Sequence, residues 1–250
     1  MTFKLVRMVL ILSVLAVTAV SPALAETIMF DASNPPFMYG EEGGKVLGIY
    51  PAILSEAFKR MGVPLETMAV PWKRAISAID EGSAGVGGIY KNEQRLKKYD
   101  YSDKLFDEVI LVYVKKASPF DYKDVGSLSG KRVGVLRGWS YGDDFDGSVK
   151  ANKIMVDEAE NDAQNFSKLA AGRIDAVLAI KESGDVILSD PGIAEKVIAL
   201  PTPLSSSPSF LAFNKSSGKG DLLVKFNAAL AQMKSDQSMD KLVKSILGAK

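Results

Sequence analysis

From residue 26 onward, short runs rich in β-branched residues alternate with runs whose apolar positions recur at helical spacing, and this alternation constrains the fold more than any other feature of the chain. A helical bundle has no use for the first kind of run and an all-β sandwich none for the second, so the pattern predicts an α/β fold. Strands are expected at 27–31 (TIMFD), 67–70, 84–89, 106–114, 131–136, 153–156, 174–180, 196–200 and 209–213. Between the first two, Ile49, Ile53, Leu54, Ala57, Phe58 and Met61 share one face of a helix that stops at Gly62. Further helices are expected at 72–79 and 163–171, the second capped by Asn161 or Asp162 and closed by Gly172. Leu223, Phe226, Leu230 and Met233 mark one C-terminal helix, and Met239, Leu242, Val243, Ile246 and Leu247 mark another. The stretch 201–208 (PTPLSSSP) reads as a linker, and GDDFDGS at 142–148 as a solvated acidic loop without the spacing or closing Glu of a calcium loop.

With 250 residues, 47% hydrophobic and 24% charged, the chain suffices for two α/β units of about a hundred residues each. They are joined by the long strand at 106–114 and by the linker. Composition then limits the chemistry. His and Cys are both absent, which excludes disulfides, His- or Cys-containing zinc sites, thiolate nucleophiles and every Ser-His-Asp arrangement. Lys and Arg number 31 against 30 Asp and Glu, a balance that gives no reason to expect nucleic acid as a partner. At the N-terminus, Lys4 and Arg7 precede an apolar run at 8–20 and an Ala23-x-Ala25 ending. Residues 1–25 are therefore expected to be a cleaved signal peptide. Its loss removes two cations and no acid, taking the formal charge from +1 to −1. With no Cys to lipidate, a soluble protein of the bacterial periplasm is the expectation.

In order along the chain stand NPPF at 34–37, GKVLGIYPAILSEAFKRMG at 44–62, PWKRA at 71–75, the Arg of KNEQR at 95, YSDKLF at 101–106, LSGKRVGVLRGWS at 128–140 and AAGRIDAVLA at 170–179. This succession resembles the family 3 extracellular solute-binding proteins, periplasmic receptors best known for delivering polar amino acids to ABC importers. The resemblance implies a two-lobed periplasmic binding protein-like fold of type II, each lobe a mixed sheet flanked by helices, closing around a small molecule. It implies a first lobe begun by 26–112, a second formed by 113–204, and a return of 205–250 to the first. A monomer is expected, with a small-molecule ligand and an ABC transporter permease as partners, and with no cofactor, metal or catalytic residue.

In that family an Arg past the third strand, within a T-x-x-R pattern, pairs with the substrate carboxylate; Arg95 matches it, with Asn92 where Thr is usual. A guanidinium offers a planar two-donor fork to a carboxylate. The alternative is a solvated arginine in the polar run 91–98. Gly87, Gly88, Ile89 and Tyr90 occupy the stretch that the family presents to its ligand. Glycines there admit a close ligand or tight strand packing, and Tyr90, replacing Thr or Ser, is expected to reach into the cleft and shrink it. Trp72, at a helix start that reads as exposed, and Phe37 are the candidate aromatic walls, with core packing the alternative for Phe37. Asn34 stands where amino-acid binders commonly have an aromatic ring.

From the second lobe, Ser140 matches a hydroxyl that donates to the carboxylate at a helix start, or else caps its own helix; Arg137 and Trp139 flank it. At the end of IDAVLAI, Ile180 occupies the place where the family's amino-acid receptors carry an Asp for the α-ammonium. Glu182 would point to the same side if the strand continued, and is the candidate substitute. With Arg95, Arg74 and Arg137 as cations, an acid without an α-ammonium is the expected ligand class. The expected function is a non-enzymatic receptor that hands a small carboxylate-bearing solute to an ABC permease. The alternatives are a periplasmic dehydratase of cyclohexadienyl type, with a cleft Glu or Asp as general acid, and a ligand sensor for a membrane-bound regulator.

Overall fold

A computed structural model of the protein describes residues 25–248; the expected leader, Ala25 apart, lies outside them. The first lobe opens with β1 (Glu26–Asp31), a small sheet of β2 (Ser33–Asn34), β3 (Met38–Gly40) and β4 (Val46–Leu47), and α1 (Ile49–Met61). It continues through β5 (Leu65–Val70), α2 (Trp72–Glu81), β6 (Gly85–Ile89), α3 (Glu93–Lys98) and β7 (Tyr99–Tyr101). β1 lies parallel to both β5 and β6, as strands joined through helices must. All of β6 (GVGGI) is buried, and a side chain at Gly87 would collide with the Phe30 ring on β1.

The chain crosses along β8 (Phe106–Lys115) into the second lobe, which holds β9 (Arg132–Leu136), α4 (Asp143–Lys150), β10 (Met155–Ala159), α5 (Asp162–Ala170), β11 (Ala176–Ile180), α6 (Lys181–Ile187), α7 (Pro191–Ala194) and β12 (Val197–Ala199). Here β9 is parallel to β10 and β11, and β11 is antiparallel to β8. The chain returns along β13 (Ser205–Asn214) and ends in α8 (Gly220–Ser235) and α9 (Ser238–Gly248). The strand order β10-β9-β11-β8-β13-β6-β1-β5 passes from one lobe to the other through β8 and β13. β13 pairs with β8 over Ser205–Ser209 and with β6 from Phe210 on, so one strand serves both lobes.

The cores follow this division. Ile28, Phe30, Ile53 and Phe58 pack with Leu211, Phe226 and Leu230, so the C-terminal helices complete the first lobe. One face of the second sheet buries Val112, Val133, Phe145 and Leu178, and the other buries Tyr113, Phe166, Leu169 and Val177.

Three local expectations change. Residues 142–148 are not a loop: α4 starts at Asp143, and Asp143, Asp144 and Asp146 fall in its first turn, where the helix dipole favours anions. Half of the expected linker is strand, with Ser205 opposite Ile110 and Pro208 opposite Asp107. Pro208 is tolerated because β13 has only β8 beside it there, so a missing N–H breaks no second ladder. The polar run around Arg95 forms α3, capped by the Asn92 side chain, which accepts from the Arg95 amide at 2.8 Å.

Gly184 on α6 lies where an added Cβ would overlap the Tyr113 hydroxyl. Gly184→Ala is expected to destabilise the protein by about 1–3 kcal/mol through overpacking, read as a lower urea midpoint.

Candidate functional site

The lobes are closed on one another. The end of β1 and the loop after it meet the second lobe at three points. Trp139 Nε1 donates to Asp31 Oδ2 at 2.8 Å, Ser33 Oγ to the Glu160 carbonyl at 2.6 Å, and Ser183 Oγ to Asn34 Oδ1 at 2.9 Å. On the α2 and α3 side, the Trp72 and Trp139 ring centroids are 5.7 Å apart, and Asn92 Nδ2 donates to Ser140 Oγ at 3.2 Å. Gly138, at φ 78°, lets the β9–α4 turn lie against α2; a Cβ there would press into the Lys73 side chain at 2.9 Å.

A cavity of about 600 Å³ lies between the lobes, walled by Arg95, Asn92, Trp139, Ser140, Tyr141 and Asp146. That volume suits a small molecule. Arg95 Nη1 donates to the Tyr90 carbonyl at 3.1 Å, and the guanidinium carbon lies 6.0 Å from the Trp72 ring centroid. Burial pulls the Arg95 pKa down, against the favourable fields of Tyr101, Tyr99, Asp146 and Asp80. Among the described residues Arg95 forms no ion pair. The Ser140 hydroxyl is donated to Asp146 Oδ2 at 2.5 Å, and Asp146 Oδ1 also accepts from the Tyr141 amide. This part of the cleft therefore presents a partly desolvated cation beside an acid that is already satisfied.

Carboxyl groups occupy the rest of the cleft. Asp31 is 4% exposed, and burial raises its pKa despite hydrogen bonds from Trp139 and Ser33. Asp162, at the start of α5, is pushed up to about 7 by burial and then by the charge of Asp31 across the lobe boundary. Its Oδ1 is buried without a hydrogen-bond partner. Glu108 on β8 is 1% exposed and accepts from the Tyr50 and Tyr90 hydroxyls, while Ser209 Oγ on β13 donates to Tyr50 Oη at 2.9 Å. Burial holds Glu108 well above the ordinary carboxyl range, and the charge of Glu182 pushes the same way.

The expected site residues divide accordingly. Arg95, Asn92, Trp72, Tyr90, Trp139 and Ser140 meet at the closed boundary. Trp72 is not exposed as its flanking charges suggested but 5% accessible, because the ring packs against Trp139 of the other lobe. Tyr90 is buried, edge-on to Trp139 at 6.1 Å, with its hydroxyl committed to Glu108. Phe37 is fully buried, stacked on Tyr50 at 5.4 Å in the first lobe's core. The space over Gly88 (φ 79°) is filled by Tyr50 and Met38, so tight packing explains that glycine. Ile180 is 3% exposed and ends β11. The strand does not continue: Glu182 sits in the first turn of α6, with Oε2 buried and unpartnered. Arg74 is exposed, and Arg137 is paired with Glu160 and Glu158.

Sequence reasoning missed Asp31, Asp162 and Glu108. Glu108 carried a weak signal, an acid next to Asp107 at the edge of the apolar run 109–114. Asp162 was legible only as a possible helix cap, and nothing distinguished Asp31 from a strand-end residue. Among the described residues no cluster of His, Cys, Asp or Glu is arranged to hold a metal ion.

A family model, that of the bacterial extracellular solute-binding proteins, family 3, matches residues 27–249. The L-cystine-binding protein TcyJ of Escherichia coli strain K12 is 27% identical over 229 residues, covering 88% of this chain and 81% of that protein. An ancestral arginine-binding protein solved with arginine superposes with a TM-score of 0.76 at 28% identity, over 88% of this chain and 97% of that one. The substrate binding protein of an amino acid ABC transporter superposes with a TM-score of 0.72 at 25% identity, over 88% and 98%.

A buried carboxyl with a raised pKa favours the folded state while it is protonated. The contribution of Asp162 is therefore complete below the unfolded value of about 4 and lost as pH rises through about 7. Melting temperatures of the ligand-free protein should fall over that window, and Asp162→Asn should flatten the fall.

Proposed function

The chain belongs to the bacterial extracellular solute-binding proteins of family 3, and we propose that it is a periplasmic receptor that captures a small carboxylate-bearing solute by lobe closure and delivers it to an ABC importer. An amino acid or a related organic acid is the proposed solute class. Export by a leader cleaved after Ala25 and lobes bounded at 112/113 and 204/205 are part of this reading.

Arg95 carries the reading. A guanidinium that is partly buried in a 600 Å³ interlobe cavity and has no acidic partner among the described residues is a carboxylate site in its chemistry. The importer is supported by likeness to the substrate binding protein of an amino acid transporter. A dehydratase-type enzyme on the same fold is the second reading. It is favoured by the buried carboxyls Asp162 and Glu108, which are held toward the protonated form that a general acid requires. Turnover of a hydroxylated cyclic acid, followed by mass spectrometry, separates it from simple capture.

Arg95→Ala should weaken binding of the solute by about 2–5 kcal/mol in calorimetry, the cost of truncating one partner of a buried charge pair. The ligand-free melting temperature should move little, since among the described residues Arg95 makes one side-chain hydrogen bond and no ion pair. Closure has its own readout. The chain's two Trp residues, Trp72 and Trp139, face each other across the lobe boundary. Saturating solute should therefore lower the radius of gyration in X-ray scattering and change the tryptophan emission together. A solute that binds with neither change would remove lobe closure from the proposal.

A further inference from the structure

The Arg95 side chain has one hydrogen-bonding tether among the described residues, the Tyr90 carbonyl, which accepts from Nη1 at 3.1 Å. The Asn92 cap holds the Arg95 amide but does not reach the guanidinium. A long side chain offers its two-donor fork in a fixed place only while its anchor is itself fixed. What fixes the Tyr90 carbonyl therefore bears on the site.

The sheet does not do so directly. The ladder between β6 and β13 stops at Ile89, opposite Phe210, and Gly88, at φ 79°, has already turned the backbone away from regular strand geometry. Tyr90 is held instead through its side chain. The ring lies edge-on to Trp139, and the hydroxyl donates to Glu108 Oε2. Glu108 is itself built in from several sides. It lies opposite Ser207 in the β8–β13 pair, and its Oε1 accepts from Tyr50, a fully buried residue stacked on Phe37. Ser209 Oγ in turn donates to Tyr50 Oη at 2.9 Å. A continuous set of contacts thus runs from the first lobe's core through Glu108 and Tyr90 to Arg95.

We infer that Glu108 is a positioning residue for the carboxylate site: by holding the Tyr90 hydroxyl, it fixes the carbonyl that anchors Arg95. This rests on the receptor reading above and adds to it how the guanidinium is kept in place. With both oxygens taken by hydroxyl groups, Glu108 acts through Tyr90 and not on the solute. Tyr50 is the matched control, because it donates to the same carboxyl but makes no hydrogen bond to Tyr90 or Arg95.

Calorimetry on the full mature chain tests this with acetate, succinate, L-glutamate, L-arginine and L-cystine, the tightest binder being carried through the variants. Tyr90→Phe, which keeps the ring and the carbonyl, should weaken binding about three- to tenfold, the worth of one hydrogen bond. Glu108→Leu should match it, and Glu108→Gln, whose amide still has a partner for each hydroxyl, should bind nearly as the wild type does. Tyr50→Phe should lower the melting temperature but leave affinity within about twofold. In an Arg95→Lys background, Tyr90→Phe should cost no further affinity, since the tethered fork is gone. The Tyr90→Phe comparison stands even if Glu108→Leu folds poorly. Unchanged affinity in Tyr90→Phe, an equal loss in Tyr50→Phe, or the same loss with Lys at position 95 overturns this inference and keeps the receptor reading. Glu108→Gln as damaged as Glu108→Leu also overturns it, by assigning the effect to the carboxyl's charge. Absence of wild-type binding to every member of the panel would overturn both.

Discussion

Both crossings between the lobes run past one buried carboxyl group. Glu108 lies on β8, and Ser209, on β13, reaches the same Tyr50 hydroxyl that donates to Glu108. Tyr50 belongs to α1 and the first lobe's core, whereas Tyr90, the other donor to Glu108, packs with the second lobe's apolar cluster. An acid at 1% exposure is tolerable there only because hydroxyl groups meet its oxygens and burial keeps it toward the neutral form. The lobes are therefore referenced to a single polar point at the pivot.

Charge is distributed unevenly along the lobe boundary. Arg95 stands on the α3 side, while Asp31 and Asp162 lie in opposite lobes. Closing the lobes desolvates all three, and the hydrogen bonds the protein makes to itself compensate only in part. Trp139 covers Asp31, Asn92 reaches Ser140, and Ser183 reaches Asn34. Asn34 Nδ2, Trp72 Nε1, Asp162 Oδ1 and Glu182 Oε2 are left as buried polar atoms without partners. Such atoms are scarce in folded interiors, and here they include both donors and acceptors.

The alternation of strand and helix runs was legible along the chain because side-chain period follows from backbone geometry within a few residues. So were the long strand at 106–114, the Asn161 cap and the apolar faces of the last two helices. The family's motifs, read in order, named Arg95, Trp72, Tyr90 and Ser140 as candidates, and all four lie at the lobe boundary. Local composition misled where a neighbour decided the outcome: 205–208 became strand because β8 offered a ladder, and 143–148 became helix although acidic.

Which side chains face one another across the cleft is a different kind of information. Asp31 and Asp162 are 131 positions apart in the sequence, and neither carries a mark of the other. Burial raises the pKa of each, and the charge of Asp31, acting across the lobe boundary, adds to the rise at Asp162. Sequence by itself determined the elements and the fold they build, since these depend on local periodicity and on motifs that are contiguous in the chain. Tertiary structure alone decided that Asp31, Asp162 and Glu108 are buried, because burial and long-range electrostatics are properties of distance in space.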